Sequence, residues 1–184
     1  MTPIGSVSGR ERLRLFCGLR LPGDVAEVLA RWQSRSLPAE GRIVPREHLH
    51  VTLAFLGHRP REEVEPIAAE LRAAAAAAAP IRFEPVRYRE TRSVGMLVLD
   101  DEGDAAGDLA RDLHERLRRL GVYEPEQRRW LAHLTVLRFR RPPRLAPPLP
   151  PLRPFGPSDA TLYHSVLRSA GAQYDVLESF SLGG

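Results

Sequence analysis

Cysteine, lysine and long apolar runs are what this chain has least of. Its 184 residues include one cysteine, Cys17, which excludes an internal disulfide and agrees with a reducing compartment. Lysine is absent, so arginine supplies the whole cationic charge; the formal net charge is +4 and the pI about 9.9. Guanidinium forks match phosphate geometry, which makes a polyanionic ligand one implication. The other is a GC-rich genome that encodes arginine and alanine liberally. The longest apolar stretches, Ala73–Ala79 and Leu49–Gly57, are far too short to cross a bilayer. Met1–Arg14 lacks the apolar centre of a secretory signal, so a cytoplasmic protein with no membrane partner is expected. Cys-rich zinc spacing and glycine-rich loops of the P-loop or Rossmann kind are missing as well.

Two short stretches stand out against that background. His48-Leu49-His50-Val51-Thr52-Leu53-Ala54-Phe55-Leu56-Gly57 has a shorter twin in His133-Leu134-Thr135-Val136-Leu137-Arg138-Phe139. Each carries His, an apolar residue, Thr and an apolar residue within a strand-favouring run. Side chains alternate faces along a strand, so His50 and Thr52 share one face, as do His133 and Thr135. Val51, Leu53, Leu134 and Val136 then point to a core. An imidazole and a hydroxyl set into an apolar strand both need hydrogen-bond partners, which an all-apolar strand would not. Folding alone does not account for two such pairs, and they are read as two halves of one site.

Taken in order, residues 1–12 read as a flexible leader and 13–184 as one bilobal domain. Leu13–Leu21 alternates as a first strand ending at Pro22-Gly23. Asp24 is placed to cap a helix whose stripe is Val25, Val28, Leu29 and Trp32. The first His-Thr strand is expected to stop at Gly57. A second helix starts near Glu63–Glu65, because Pro66 is tolerated only in its first turn, and the alanine run continues it. Ile81–Glu90 and Val94–Leu99 read as a strand pair. Leu109, Leu113, Leu117 and Leu120 mark a third helix closed by Gly121. The second His-Thr strand comes next at about His133–Arg140. Proline-dense Arg141–Pro157 is an extended connection, and Ala160–Arg168 with Gln173–Leu182 forms a hairpin about Ala170-Gly171. The fold class is α+β: two pseudo-symmetric lobes, each an antiparallel sheet with helices outside, enclosing a central cleft lined by one His-Thr pair from each.

The paired motifs resemble the signatures of the 2H phosphoesterase superfamily, in particular its RNA 2′,3′-cyclic phosphodiesterase branch, also called the 2′-5′ RNA ligase or LigT-like family. One His-x-Thr is a weak signal. Two, separated by 133 − 50 = 83 residues, are a strong one. Arg14-Leu15-Phe16-Cys17-Gly18-Leu19 is similar to the family's opening strand, and Val44–Leu49, Pro125–Trp130 and Leu162–Ser165 fit its flanks and final hairpin. Ala132 stands where proline is common, and Val136-Leu137-Arg138 replaces a more usual Leu-Ala-Arg.

The resemblance implies hydrolysis of a 2′,3′-cyclic phosphate at an RNA or oligonucleotide end to a 2′-phosphomonoester. That reaction needs a base for water, an acid for the departing 3′ oxygen and donors for phosphate charge. His50 and His133 can supply the first two, since imidazole titrates near neutrality. Thr52 and Thr135 can bind non-bridging oxygens. No cofactor and no metal are expected, nor any partner subunit. The expected assignment is His50 as acid and His133 as base, with the reverse open. Strict alternation puts Arg138 on the face opposite His133. A bulge or twist would turn it to the cleft, where the family places an arginine; otherwise it is a surface residue. Arg128 reads as a rim charge or an ion pair. A metal held by His48, His50 and His133 lacks recognisable spacing, and His48 reads as a strand-entry residue. Phe55 and Trp130 read as core, and His58, His114 and His164 as surface or helix-face residues. The same site would also permit 2′-5′ ligation, and a basic cleft without catalysis would make an RNA-binding module.

Overall fold

The computed structural model describes residues 11–38, 41–169 and 171–183. The expected leader therefore lies largely outside the described residues, although Arg12 already opens the first strand. Within them run eight strands and three α-helices: β1 (Arg12–Arg20), α1 (Gly23–Ser36), β2 (Arg42–Ile43), β3 (His50–Pro60), α2 (Val64–Ala77), β4 (Phe83–Glu90), β5 (Val94–Asp101), α3 (Ala105–Arg119), β6 (His133–Arg138), β7 (Asp159–Arg168) and β8 (Gly171–Phe180). The helix starts obey the local chemistry. Pro66 falls in the first turn of α2, where its missing N–H costs nothing. Asp24 is not the cap of α1 but lies in its first turn, near the positive end of the helix dipole. Helix α3 ends as the glycine predicts: Gly121 takes φ +77°, its N–H reaches the Arg118 carbonyl, and Val122 N–H reaches Leu117.

The two-lobed plan holds, with the lobes joined. Every strand pairing is antiparallel, and the order β4-β5-β6-β3-β1-β7-β8 runs unbroken, with short β2 added on β6. One half is β4-β5-β6 with β2, the other β3-β1-β7-β8. They meet at the pair Val51↔Leu134, in the middle of the two motifs. Val51, Leu53, Leu134 and Val136 sit fully or almost fully buried in one apolar cluster with Leu29, Leu71 and Leu113 from the three helices. At about 1.5–3 kcal/mol per large buried side chain, this cluster fixes which face of β3 and β6 looks outward. Cys17 belongs to it too, and burial pushes its thiol up to about 12, so it is an inert core residue. Among the described residues no helix is long and apolar enough to cross a membrane.

Strand β3 does not stop at Gly57. It runs to Pro60, because Leu56 bulges out of the ladder with β1 and Gly57 takes φ +68° beside it.

Candidate active site

The antiparallel pair Val51↔Leu134 sets His50 beside Thr135 and Thr52 beside His133, so each imidazole neighbours the hydroxyl of the opposite motif. The two histidines are held alike. His50 Nδ1 lies 2.7 Å from the His48 carbonyl, and His133 Nδ1 lies 2.8 Å from the Leu131 carbonyl. A carbonyl can only accept, so Nδ1 carries the proton in both rings. In the neutral form Nε2 is then a lone pair, and Thr52 Oγ1 donates to it in His50 at 3.0 Å.

The second half of each motif departs from simple alternation, in the same way twice. The burial pattern of His50–Phe55 matches that of His133–Arg138: half-buried, buried, half-buried, buried, buried, exposed. In β3, Gly18 pairs Thr52 and Cys17 pairs Ala54, so Leu53 is an extra residue. In β6, Met96 pairs Thr135 and Gly95 pairs Leu137, so Val136 is extra. Each bulge reverses the phase of the residues beyond it. The residue three beyond each threonine, Phe55 or Arg138, is thereby turned onto the threonine's face. The arginine reaches the cleft by the bulge that alternation alone did not contain. Phe55 is not a core residue but 49% exposed at the cleft rim, with the Arg14 guanidinium 4.7 Å over its ring.

Two helix side chains that sequence reasoning missed hold these bulges. Fully buried Gln33 of α1 donates from Nε2 to the Val136 carbonyl at 2.8 Å and to Val44 at 3.0 Å. His114 of α3 lies with Nε2 2.7 Å from the Leu53 carbonyl, so it donates there. The signal for Gln33 was legible: it falls on the apolar stripe one turn beyond Leu29, where a polar residue must have a buried partner. Trp130, partly buried against the core, adds a bond from Nε1 to the Thr52 carbonyl at 3.0 Å.

His50, Thr52, Thr135 and Arg138 line one cavity of about 400 Å³, together with His48 and Phe16. His133 is half-buried and is not among the residues that line this cavity. Among the described residues neither the Thr135 hydroxyl nor the Arg138 guanidinium has a protein hydrogen-bond partner. The His50 ring packs on Phe16 (4.9 Å between centroids) and edge-on to Tyr174 (5.5 Å), while His48 lies 4.6 Å from Tyr174. Gly18 permits this packing: a Cβ there would meet the Val51 carbonyl at 3.1 Å and His50 Cδ2 at 3.2 Å. Burial lowers the His50 pKa from 6.5 to about 4; the bond to the His48 carbonyl opposes that shift, and the charges of Arg138, His133 and His48 add to it. Arg128 is an exposed ion-pair partner of Glu126. Among the described residues no three His, Cys, Asp or Glu side chains are grouped as a metal site would need.

Known proteins are similar to this chain in sequence and fold. Residues 19–92 match the family model described as LigT like Phosphoesterase. An RNA 2′,3′-cyclic phosphodiesterase of Thermus thermophilus is 34% identical over 190 aligned positions, covering 94% of this chain and 91% of the relative. The crystal structure of TT0787 of Thermus thermophilus superposes with a TM-score of 0.79 at 29% identity, over 94% of this chain and 99% of that one. That of E. coli LigT complexed with NADP+ gives 0.78 at 26% identity, over 95% and 99%. With its paired His-x-Thr strands joined at Val51↔Leu134, the chain belongs to the LigT-like phosphoesterase family, the RNA 2′,3′-cyclic phosphodiesterases of the 2H type.

Proposed function

We propose that this protein hydrolyses 2′,3′-cyclic phosphates at RNA ends to 2′-phosphomonoesters, with His50 and His133 as its acid–base pair. The observation that carries this reading is the shared cavity lined by His50, Thr52, Thr135 and Arg138, with His133 on the strand paired to that of Thr52. A cyclic phosphodiester bears one negative charge and two non-bridging oxygens. Thr52, Thr135 and the Arg138 guanidinium supply donors for those oxygens as charge builds on them. One histidine takes a proton from water as its oxygen bonds to phosphorus. The other gives a proton to the 3′ oxygen as the P–O3′ bond breaks, and the phosphate stays on O2′. In-line geometry places water and leaving oxygen on opposite sides of phosphorus, which suits two imidazoles from two strands.

Desolvation favours neutral His50, and a neutral imidazole with its lone pair on Nε2 is a base and not an acid. We therefore assign the base to His50 and the acid to His133, the reverse of the assignment expected from the motifs. The reading includes an RNA or oligonucleotide end as substrate, one bilobal domain over residues 13–184, and the cytoplasm as compartment. The deciding experiment is incubation with a nucleoside 2′,3′-cyclic phosphate and identification of the product by phosphorus NMR. A 2′-phosphate is the expected isomer; a 3′-phosphate, or no turnover, would refute the reading.

A further inference from the structure

The cleft holds more positive charge than one cyclic phosphate uses. Arg14, Arg42, Arg138 and Arg168 all line it, with two histidines and no carboxylate among the lining residues. The reacting phosphate carries a single negative charge, which Arg138 and the two threonines already match. Arg42 on β2 pairs Arg138 on β6, whereas Arg14 lies further along the cavity. Along β1, Gly18 pairs Thr52, whereas Arg14 sits four residues earlier, about 13 Å away at strand spacing. There Arg14 Nη1 donates to Ser165 Oγ at 3.0 Å while its plane covers Phe55. Two contacts fix the guanidinium and leave its remaining N–H groups for an acceptor. Among the described residues Arg168, on the adjoining strand β7, spends only Nε, on Gln173 Oε1 at 3.1 Å. A guanidinium held in place and still part-free is preorganised for a phosphate oxygen pair.

We propose that Arg14 and Arg168 form a second phosphate subsite, which binds the phosphate on the 5′ side of the reacting nucleotide. The enzyme then reads two backbone phosphates of a strand end, one at the threonines and one on the β1–β7 rim. Contacts of this kind position a strand without reading its sequence. The proposal rests on the phosphodiesterase reading above but is measured separately from it.

Three probes test it: a nucleoside 2′,3′-cyclic phosphate, the same compound with a 5′-phosphate, and a dinucleotide ending in a cyclic phosphate. The 5′-phosphate and the dinucleotide should each raise kcat/KM by roughly tenfold, the worth of one charge-assisted contact. That gain should shrink as salt is raised, because the contact displaces counterions. In Arg14→Gln and in Arg168→Gln the ratio of kcat/KM between phosphorylated and unphosphorylated probes should fall toward one. Arg168 is exposed, so its replacement keeps the test alive if Arg14→Gln folds poorly. Equal wild-type rates on all three probes overturn the subsite, as does a loss in both variants that is the same with and without the 5′-phosphate. Binding of a fluorescent 2′-phosphate-ended dinucleotide reads the subsite without turnover. Tighter binding by wild type than by either variant, with no hydrolysis of any probe, would leave the subsite standing and overturn the phosphodiesterase reading alone.

Discussion

Two imidazoles in one cleft can do opposite jobs only if their surroundings separate their protonation states. His50 packs against Phe16, Tyr163 and Tyr174, and its burial and the Arg138 charge oppose a second proton. With the base at about 4, kcat/KM should hold its plateau well below the ordinary histidine range and fall only as pH approaches 4, since that profile reports the free enzyme. The apparent values belong to the coupled pair, so variants must separate them. His50→Gln should lose the acidic limb and His133→Gln the alkaline one, each with turnover reduced on the order of 10²–10⁴-fold. A substrate with a good leaving group should rescue His133→Gln and not His50→Gln; the opposite result restores the assignment expected from the motifs. Stability carries the same sign. A lowered folded pKa means the unfolded chain binds the extra proton first, so the His50 contribution is present above 6.5 and drains away as pH falls toward 4. Denaturant melts of wild type and His50→Gln across that window should converge at low pH, by at most about 3 kcal/mol.

At the scale of the element, the two bulges decide what the motifs deliver. A bulge leaves one residue without a ladder partner, so its carbonyl needs another donor. His114 from α3 donates to the Leu53 carbonyl, and Gln33 from α1 joins the Val44 N–H on the Val136 carbonyl. Replacing Gln33 by leucine keeps the volume, strips the Val44 carbonyl of its side-chain partner and leaves Val136 with the Val44 N–H alone. Stability should fall by about 1–3 kcal/mol. The sharper expectation is functional: because Arg138 rides on the Val136 bulge, KM should rise several-fold more than in Leu29→Ala, a core variant of comparable or larger cost. Equal KM in the two variants would show that the glutamine only supports the core. Much of this is legible in the chain. The His-x-Thr pairs give the shared face of His50 and Thr52, and apolar spacing gives the helices, with Gly121 closing α3. The bulges are not legible, since an extra residue is defined by the register of the partner strand, and no local pattern in β3 or β6 carries that register. Alternation misplaces Phe55 for that reason, and Gly57 reads as an end where it relieves a bulge. The continuous sheet is hidden likewise, because the junction of the halves is one long-range pair, Val51↔Leu134.

On the scale of the whole molecule, the halves are complementary more than duplicate. Each contributes a histidine with its Nδ1 bonded two residues back, a threonine beside it, and a bulge. Yet one bulge presents an aromatic ring and the other a guanidinium. The Phe55 ring backs the Arg14 guanidinium, whereas the Arg138 guanidinium lines the cavity beside Thr135. The proposed mechanism gives a protein group to every task of the reaction: base, acid, and donors for both non-bridging oxygens. Metal-assisted phosphodiesterases divide these tasks differently, using the ion to lower the pKa of water and to neutralise phosphate charge. Under the mechanism proposed above, His50 would accept the water proton directly, and Arg138 with two hydroxyls would meet the phosphate charge. Turnover of a 2′,3′-cyclic nucleotide should accordingly be the same, within about twofold, before and after exhaustive dialysis against EDTA. Adding zinc should not raise it, and zinc bound to the Nε2 lone pairs of His50 and His133 should instead lower it. A rate abolished by chelation and restored by zinc or manganese would mean that an ion performs a task assigned above to a side chain. Measuring the same dialysed enzyme at pH 5 and pH 8 then identifies which one: a metal-generated hydroxide would take over the acidic limb from His50, whereas a phosphate-binding ion would leave that limb in place and substitute for Arg138.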